Sequence, residues 1–346
     1  MEARVCRIYD QHDLRIESDD VAAPGDGEVR VAIGAGGICG SDLHYYHHGG
    51  FGAIRLKEPM ILGHEVAGLI EAVGPGVAGL SEGDRVALNP SRPCGGCRYC
   101  AEGLFQHCLN MRFYGSAMPF PHEQGAFREK IIAEARQCEL VSASTSHAEA
   151  ACAEPLAVAL HARSRAGDLA GKRVLVTGAG PIGCLVTAAA RHAGAGEIVV
   201  TDLEDVPLAI ASKMGASAII NVGKDAGALE PYQADKGSFD VVFECSAAKA
   251  AVDTAITAVR PQGVILQVGI AGDLPLPINL LVAKEITLRG AFRFHGEYAD
   301  AVRLIDGGEI DVKPIITSSY PLEDAVTAFD SAGDRRRSVK VQLTFG

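Results

Sequence analysis

Several absences narrow the function before any motif is read. The chain has no run of about eighteen or more apolar residues, so no segment reads as a membrane span. Its opening residues, Met1 to Cys6, hold neither the apolar core nor the small-residue cleavage site of an export signal, so none is expected. It has no long basic stripe: 32 Lys and Arg stand against 43 Asp and Glu, a net charge of −11. That balance argues against nucleic acid or an anionic membrane as partner. The one basic cluster, Arg335-Arg336-Arg337 beside Asp334, reads as a solvated turn rather than a binding patch. A paired-disulfide pattern is lacking too. Four of the ten cysteines fall within fifteen residues and the others are scattered singly, as in an intracellular metalloprotein. A cytoplasmic location is the expectation.

What is present is a globular composition, 48% apolar and 22% charged, in 346 residues, a length that implies two domains. The pivotal stretch is Gly37-Ile38-Cys39-Gly40-Ser41-Asp42-Leu43-His44-Tyr45-Tyr46. It sets a soft metal ligand (Cys39), a hydroxyl (Ser41) and an imidazole (His44) in one short turn. These groups suit a thiolate on zinc followed by a hydroxyl-to-imidazole proton path. Alone, a Cys among glycines is more often a small buried hydrophobe. Residues 1–90 read as β-rich, with strands at Val29–Ile33, Val66–Val73 and Arg85–Leu88. Gly63-His64-Glu65 lies before the second of these. It reads either as a core histidine satisfied by its neighbour or as further zinc ligands joining Cys39.

Cys94, Cys97, Cys100 and Cys108 form a C-x2-C-x2-C-x7-C motif. Four thiolates this close match a closed tetrahedral zinc site that pins a lobe rather than performs chemistry. An iron–sulfur cluster takes the same ligands, but the long last spacing and the lack of a following proline favour zinc. Residues 111–146 read as loops. From His147 to Arg165 the spacing predicts a helix that Glu154-Pro155 interrupts; a Glu buried there needs a partner, and zinc would supply one.

From Lys172 onward strands and helices alternate. The strand Arg173–Thr177 runs into Gly178-Ala179-Gly180-Pro181-Ile182-Gly183, then a helix from Cys184 to Ala193 and a strand ending in Asp202. A GxGxxG at a strand-to-helix turn, with an Asp nineteen residues after its last glycine, is a dinucleotide fingerprint in its required context. Asp202 would accept hydrogen bonds from the adenosine ribose and repel a 2′-phosphate, so NAD is expected over NADP. Strands at 218–220, 239–243, 264–268 and 286–288 bring the count to six, a doubly wound parallel sheet. Residues 291–346 add helices near Ala299–Ile305 and Leu322–Ser331 and a closing strand, Val339–Leu343, that returns to the first domain. The expected division is 1–152, a GroES-like catalytic domain with a zinc-pinned lobe; 153–292, an NAD-binding Rossmann domain; and 293–346, the return.

End to end, these motifs resemble the zinc-containing medium-chain alcohol and polyol dehydrogenases. Within that family GGICGSDLHYYHHG, NPSRPCGGCRYC, MRFYGSAMPFPH, AEPLAVALHA and GAFRF resemble the members that oxidise L-idonate. The resemblance implies two zincs per subunit. Cys39 and His64 would be catalytic ligands, Glu65 and Glu154 the acidic positions on the metal or its water, and Ser41 and His44 the proton relay. It places Tyr45 and Arg293 against a polyol substrate. Ile182, Val268, Gly269, Ile270, Phe292 and Arg293 would lie near the nicotinamide half, and Leu203 beside Asp202 at the adenosine end. It further implies oxidation of the C5 hydroxyl of L-idonate to 5-keto-D-gluconate, in a homotetramer or dimer. An aldonate needs a cation, for which Arg112, Arg293, His47 and His122 are candidates. A sorbitol, xylitol or galactitol dehydrogenase is the alternative within enzymes, and a non-catalytic NAD-binding protein the alternative outside them. One departure stands out. Pro207 replaces a basic residue common in polyol relatives near the adenosine ribose, leaving NAD preference on Asp202 alone and some NADP tolerance open.

Overall fold

In the computed structural model, which describes residues 1–225, 227–270 and 272–346, period-two alternation builds the first part as antiparallel sheet. Strands β1 (Glu2–Asp10) and β2 (Asp13–Asp20) form a hairpin. Strands β3 (Glu28–Gly37), β4 (Glu65–Val73), β5 (Arg85–Leu88), β6 (Lys130–Glu134) and β7 (Cys138–Leu140) make most of a larger sheet. Val29, Val31, Ile33 and Ala35 of β3 all face its core. Helix α1 (Gly40–His48) follows β3 directly.

Helices α2 (His147–Ala150) and α3 (Ala153–Ala166) occupy the segment read as one interrupted helix. The break lies at Ala151-Cys152, not at Glu154-Pro155. Pro155 is the third residue of α3, where its missing N–H has no intrahelical acceptor to lose.

The second part alternates β8 (Arg173–Thr177), α4 (Pro181–His192), β9 (Glu197–Asp202), α5 (Asp205–Lys213), β10 (Ala218–Asn221), β11 (Phe239–Glu244), α6 (Lys249–Ala258), β12 (Val259–Gln267), α7 (Ile278–Ala283) and β13 (Thr287–Gly290). All six strands are parallel, in the order β10-β9-β8-β11-β12-β13. The winding reverses between β8 and β11, and the crevice beyond their carboxyl ends is where such sheets bind dinucleotides. The chain then forms α8 (Glu297–Asp306), β14 (Ile316–Pro321), α9 (Ala325–Gly333) and β15 (Lys340–Thr344). β15 joins the large first sheet antiparallel to β3, and β14 lies parallel beside β15.

A hydrogen bond ties α8 to α3: His161 Nδ1 lies 2.8 Å from Glu297 Oε1. Burial pushes the Glu297 carboxyl up, but His161 and the His295 N–H outweigh it and hold the group down at about 2. A depressed carboxyl stabilises the fold above its unfolded value and loses that contribution as pH falls through the folded one. Glu297→Gln is therefore expected to cost about 1–3 kcal/mol at neutral pH. The difference from the parent should vanish in acid, as denaturant titrations at several pH values would show.

Candidate active site

Three strand ends converge to build the site. In the β3–β4 ladder Gly37 stands opposite Glu65, and in the β3–β15 ladder it stands opposite Gln342. The register thus brings Cys39, just past β3, to His64 and Glu65 at the start of β4, and seats Lys340 beside them. One ligand atom from each of Cys39, His64 and Glu65 lies within 4.8 Å of the others. Glu154, on α3, is buried and faces the same cluster electrostatically, but its carboxylate lies outside that tight set.

Asp42 organises both halves of the cluster, and sequence reasoning gave it no role. Its Oδ2 accepts the Cys39 N–H at 3.0 Å, its Oδ1 accepts the Gly63 N–H at 3.1 Å, and that oxygen lies 3.9 Å from His64 Nδ1. At that distance the carboxylate makes no hydrogen bond to the ring, and among the described residues His64 Nδ1 is buried without a hydrogen-bond partner. The only signal in sequence was an acid three residues after Cys39 in the first turn of α1.

The donor set fits a cation. Burial, then Glu65, pushes the Cys39 thiol up to about 11. Burial, reinforced by Glu65 and Cys39 against the opposing pull of His64, pushes Glu154 up to about 8. A soft thiolate, an imidazole and carboxylates crowded in a buried space match zinc.

Glu65 is less free than its proposed ligand role requires. Lys340 Nζ donates to both its oxygens, at 2.8 and 2.7 Å, and to the Ile38 carbonyl at 3.1 Å. Lys340 and Glu65 are 2% and 1% exposed, so this is a buried ion pair.

Ser41 and His44 lie three residues apart on α1 and so share a face. His44 reaches the surface, as the outer end of a proton path must. Partial burial, then the charges of His48 and His47, lowers its pKa and keeps the ring a neutral acceptor. Tyr45 is core rather than surface: it is 1% exposed and its hydroxyl accepts the Ala117 N–H at 3.0 Å.

Among the candidate cations, Arg112 is half exposed and bonded to Glu123 at 3.1 Å. His122 Nε2 accepts the Lys57 N–H at 2.9 Å and its Nδ1 lies 2.9 Å from the Pro119 carbonyl. His47 packs edge-on against His12 and Tyr46. Arg293 differs: its guanidinium stacks 4.2 Å from the Phe113 ring centroid, and the Phe113 ring neighbours His64 at 5.5 Å. It interacts electrostatically with Glu154 and Tyr45, and burial lowers its pKa.

In the four-cysteine lobe one sulfur of each of Cys94, Cys97, Cys100 and Cys108 falls within 4.8 Å of the rest. Backbone N–H groups point at the sulfurs: Cys94 at Cys108 Sγ (3.2 Å), Leu109 at Cys97 Sγ (3.5 Å) and Asn110 at Cys108 Sγ (3.4 Å). The Gly96 N–H first, then Asn110 and Cys108, lowers Cys94 to about 6, which favours the thiolate a metal needs. From this lobe Phe105 stacks on His295 at 4.0 Å and His107 on Phe292 at 6.1 Å. The lobe thereby braces the segment that carries Arg293, a link the sequence did not show.

The glycine turn follows β8 at the crevice beyond the ends of β8 and β11. Gly178 has φ +87°, and a Cβ there would meet Ser246 at 2.9 Å. A Cβ on Gly183 would sit 1.8 Å from the Gly178 carbonyl, so helix and turn close only on glycine. Gly180 caps α4 and Pro181 opens it, so the first N–H groups of the helix face the crevice. Ile182 packs beside them, partly buried. Asp202 ends β9, buried, with Leu203 exposed next to it. Val268, Gly269 and Ile270 follow β12, and Phe292 is partly exposed. Glu244, buried at the end of β11, accepts the N–H groups of Ser246 and Ala247 at 2.9 and 3.0 Å and so shapes the switch-point loop. Arg335, read from sequence as part of a solvated turn, instead donates to Asp202 at 3.0 Å.

Comparison with known proteins agrees with this geometry. Residues 25–143 match the alcohol dehydrogenase GroES-like domain and residues 181–307 the zinc-binding dehydrogenase domain. L-idonate 5-dehydrogenase (NAD(P)(+)) of Escherichia coli strain K12 is 44% identical over 316 residues, 91% of each chain. Sorbitol dehydrogenase of Bacillus subtilis strain 168 is 37% identical over 330 residues, 94% of this chain and 92% of its own. The crystal structure of the Escherichia coli L-idonate 5-dehydrogenase superposes with TM-score 0.96 at 41% identity, covering 100% of this chain and 99% of that one.

Proposed function

The chain belongs to the zinc-binding alcohol dehydrogenase family, and we propose that it oxidises the C5 secondary hydroxyl of L-idonate to 5-keto-D-gluconate, reversibly, with NAD as hydride acceptor. The observation that carries the aldonate reading is Arg293, a guanidinium held over Phe113 beside the Cys39–His64 cluster. A six-carbon aldonate that reacts at C5 carries its carboxylate four carbons away at C1 and needs a cationic partner near the reacting end, a role planar Arg suits better than Lys. Arg112 and His122 already have partners.

Zinc held by Cys39 and His64, with Glu65 or Glu154 completing the set, would supply Lewis acidity at the substrate hydroxyl, and NAD would take the hydride. Ser41 accepts the hydroxyl proton and His44, at the surface end of the same helix face, passes one to water. The alcohol thus loses a hydride and a proton and leaves as the ketone. Arg293 fixes which carbon reacts by anchoring the carboxylate. Asp42 holds the Cys39 and His64 segments in register. The domain division at 152/153 and 292/293, a cytoplasmic location and a homotetrameric or dimeric assembly complete the proposal. Assembly is supported by β13, whose four residues are all exposed at the sheet edge, and by the exposed Ile278 and Val282 of α7.

Initial rates with L-idonate, D-sorbitol and galactitol test the substrate. kcat/KM for L-idonate should exceed the neutral polyols by more than about tenfold, the scale of one charge-assisted contact. Arg293→Ala should lower kcat/KM for L-idonate by about a hundredfold and leave D-sorbitol within about threefold. Neutral polyols turned over as well as the aldonate, or lost equally in the variant, would make the enzyme a polyol dehydrogenase.

A further inference from the structure

The basic triplet near the chain's end lies at the adenosine side of the cofactor crevice. Asp202 has its lone pairs filled from within the protein: Oδ2 accepts the Ala179 N–H at 2.7 Å and Arg335 Nη2 at 3.0 Å. Oδ1 accepts the Leu203 and Glu204 N–H groups at 2.7 and 3.1 Å. The same guanidinium reaches over the glycine turn, where a Cβ on Gly180 would lie 3.1 Å from Arg335 Nη1. Arg336 is held by Asp334 at 3.0 Å and feels the charge of Glu204. Arg335, by contrast, has half its side chain open to solvent and among the described residues bonds Asp202 alone.

An acid at the end of the second strand disfavours NADP because its charge meets the 2′-phosphate. Here that charge is already matched by a cation that is half open to solvent and has Nη1 lying over the glycine turn. We propose that Arg335 receives the 2′-phosphate of NADP, so that this chain binds NAD and NADP from one site. The inference rests on the reading of the crevice as a dinucleotide site. It supplies the basic group whose loss at Pro207 the sequence noted, from a segment 133 residues further along the chain than Asp202. With NAD, Arg335 stays on Asp202 and the ribose hydroxyls share the carboxylate. With NADP, the guanidinium turns from Asp202 to the phosphate, a charge-assisted and geometrically matched contact.

The test needs no substrate, so its failure leaves the L-idonate reading untouched. NADPH and NADH are titrated by nicotinamide fluorescence, and 2′,5′-ADP and 5′-ADP are compared as displacers, in the parent protein, Arg335→Ala, Arg335→Lys and Arg336→Ala. Arg335→Ala should weaken NADPH and 2′,5′-ADP by about ten- to hundredfold and change NADH and 5′-ADP by less than about threefold. Retained NADH binding shows that the variant is folded. Arg335→Lys should recover part of the loss, because it keeps the charge but not the fork, and Arg336→Ala should match the parent. Equal weakening of both cofactors would make Arg335 a pyrophosphate or structural contact and overturn the proposal. So would unchanged NADPH affinity, or a parent protein that does not bind NADPH.

Discussion

Cys39→Ala is expected to lower kcat by at least on the order of a thousandfold and to remove one of two zincs per chain while leaving the fold standing. Cys39 contributes one ligand atom to a set whose other members do not depend on the thiol: Asp42 holds the backbone of Gly63 just before His64, and Lys340 holds Glu65. Its loss empties the cation position without opening a large cavity, so thermal stability should fall by less than about 1 kcal/mol. The second zinc should persist, since the four cysteine sulfurs cluster apart from Cys39, within 4.8 Å of one another, and N–H groups are directed at them. Zinc content per chain, kcat with L-idonate and the melting curve distinguish the outcomes. A variant that keeps both zincs and activity within tenfold would show that Cys39 is not a ligand and that the cluster at the ends of β3 and β4 does no chemistry.

The parts of this molecule legible in sequence are those where a local rule forces residue type. The turn after β8 needs glycine at 178 for a positive φ and at 183 for contact with the Gly178 carbonyl, so the fingerprint is read from backbone sterics alone. The four cysteines declare themselves by spacing. His64 and Cys39, twenty-five residues apart, are meaningful only once the β3–β4 register sets Gly37 opposite Glu65, which residue types suggest and pairing decides. Partners that act at long range left no pattern. Lys340 lies 275 residues from Glu65, a single cation in an ordinary stretch, and Arg335 lies 133 from Asp202 in a basic triplet that reads as a solvated turn. Pro155 misled for the opposite reason: a helix breaker by rule, it is tolerated in the first turn, and the chain bends three residues earlier.

Lys340→Met is expected to destabilise the protein by about 3–5 kcal/mol, because it leaves the Glu65 carboxylate buried beside Cys39 and Glu154 with its paired cation gone. The lysine is well matched to its place. Burial disfavours its charge, yet the Glu65 and Cys39 charges and the direct bond to Glu65 outweigh burial and raise its pKa. Its Nζ serves three acceptors, so methionine, of similar length, fills the space but also strands the Ile38 carbonyl. The sign of the pH dependence follows from Lys340, whose raised folded-state pKa gives a contribution that is complete below the unfolded value and lost only as pH rises through the folded one, so the deficit against the parent should hold across neutral pH. Adding Glu65→Gln should recover much of it, since the charge and its partner are then removed together. Zinc adds a discriminating arm: a metal ion at Cys39 and His64 offers Glu65 a second cation, so chelated Lys340→Met should lose more stability than the zinc-loaded variant. A deficit below about 1 kcal/mol in both forms would mean that the Lys340–Glu65 pair is no stronger than an exposed ion pair, despite its burial.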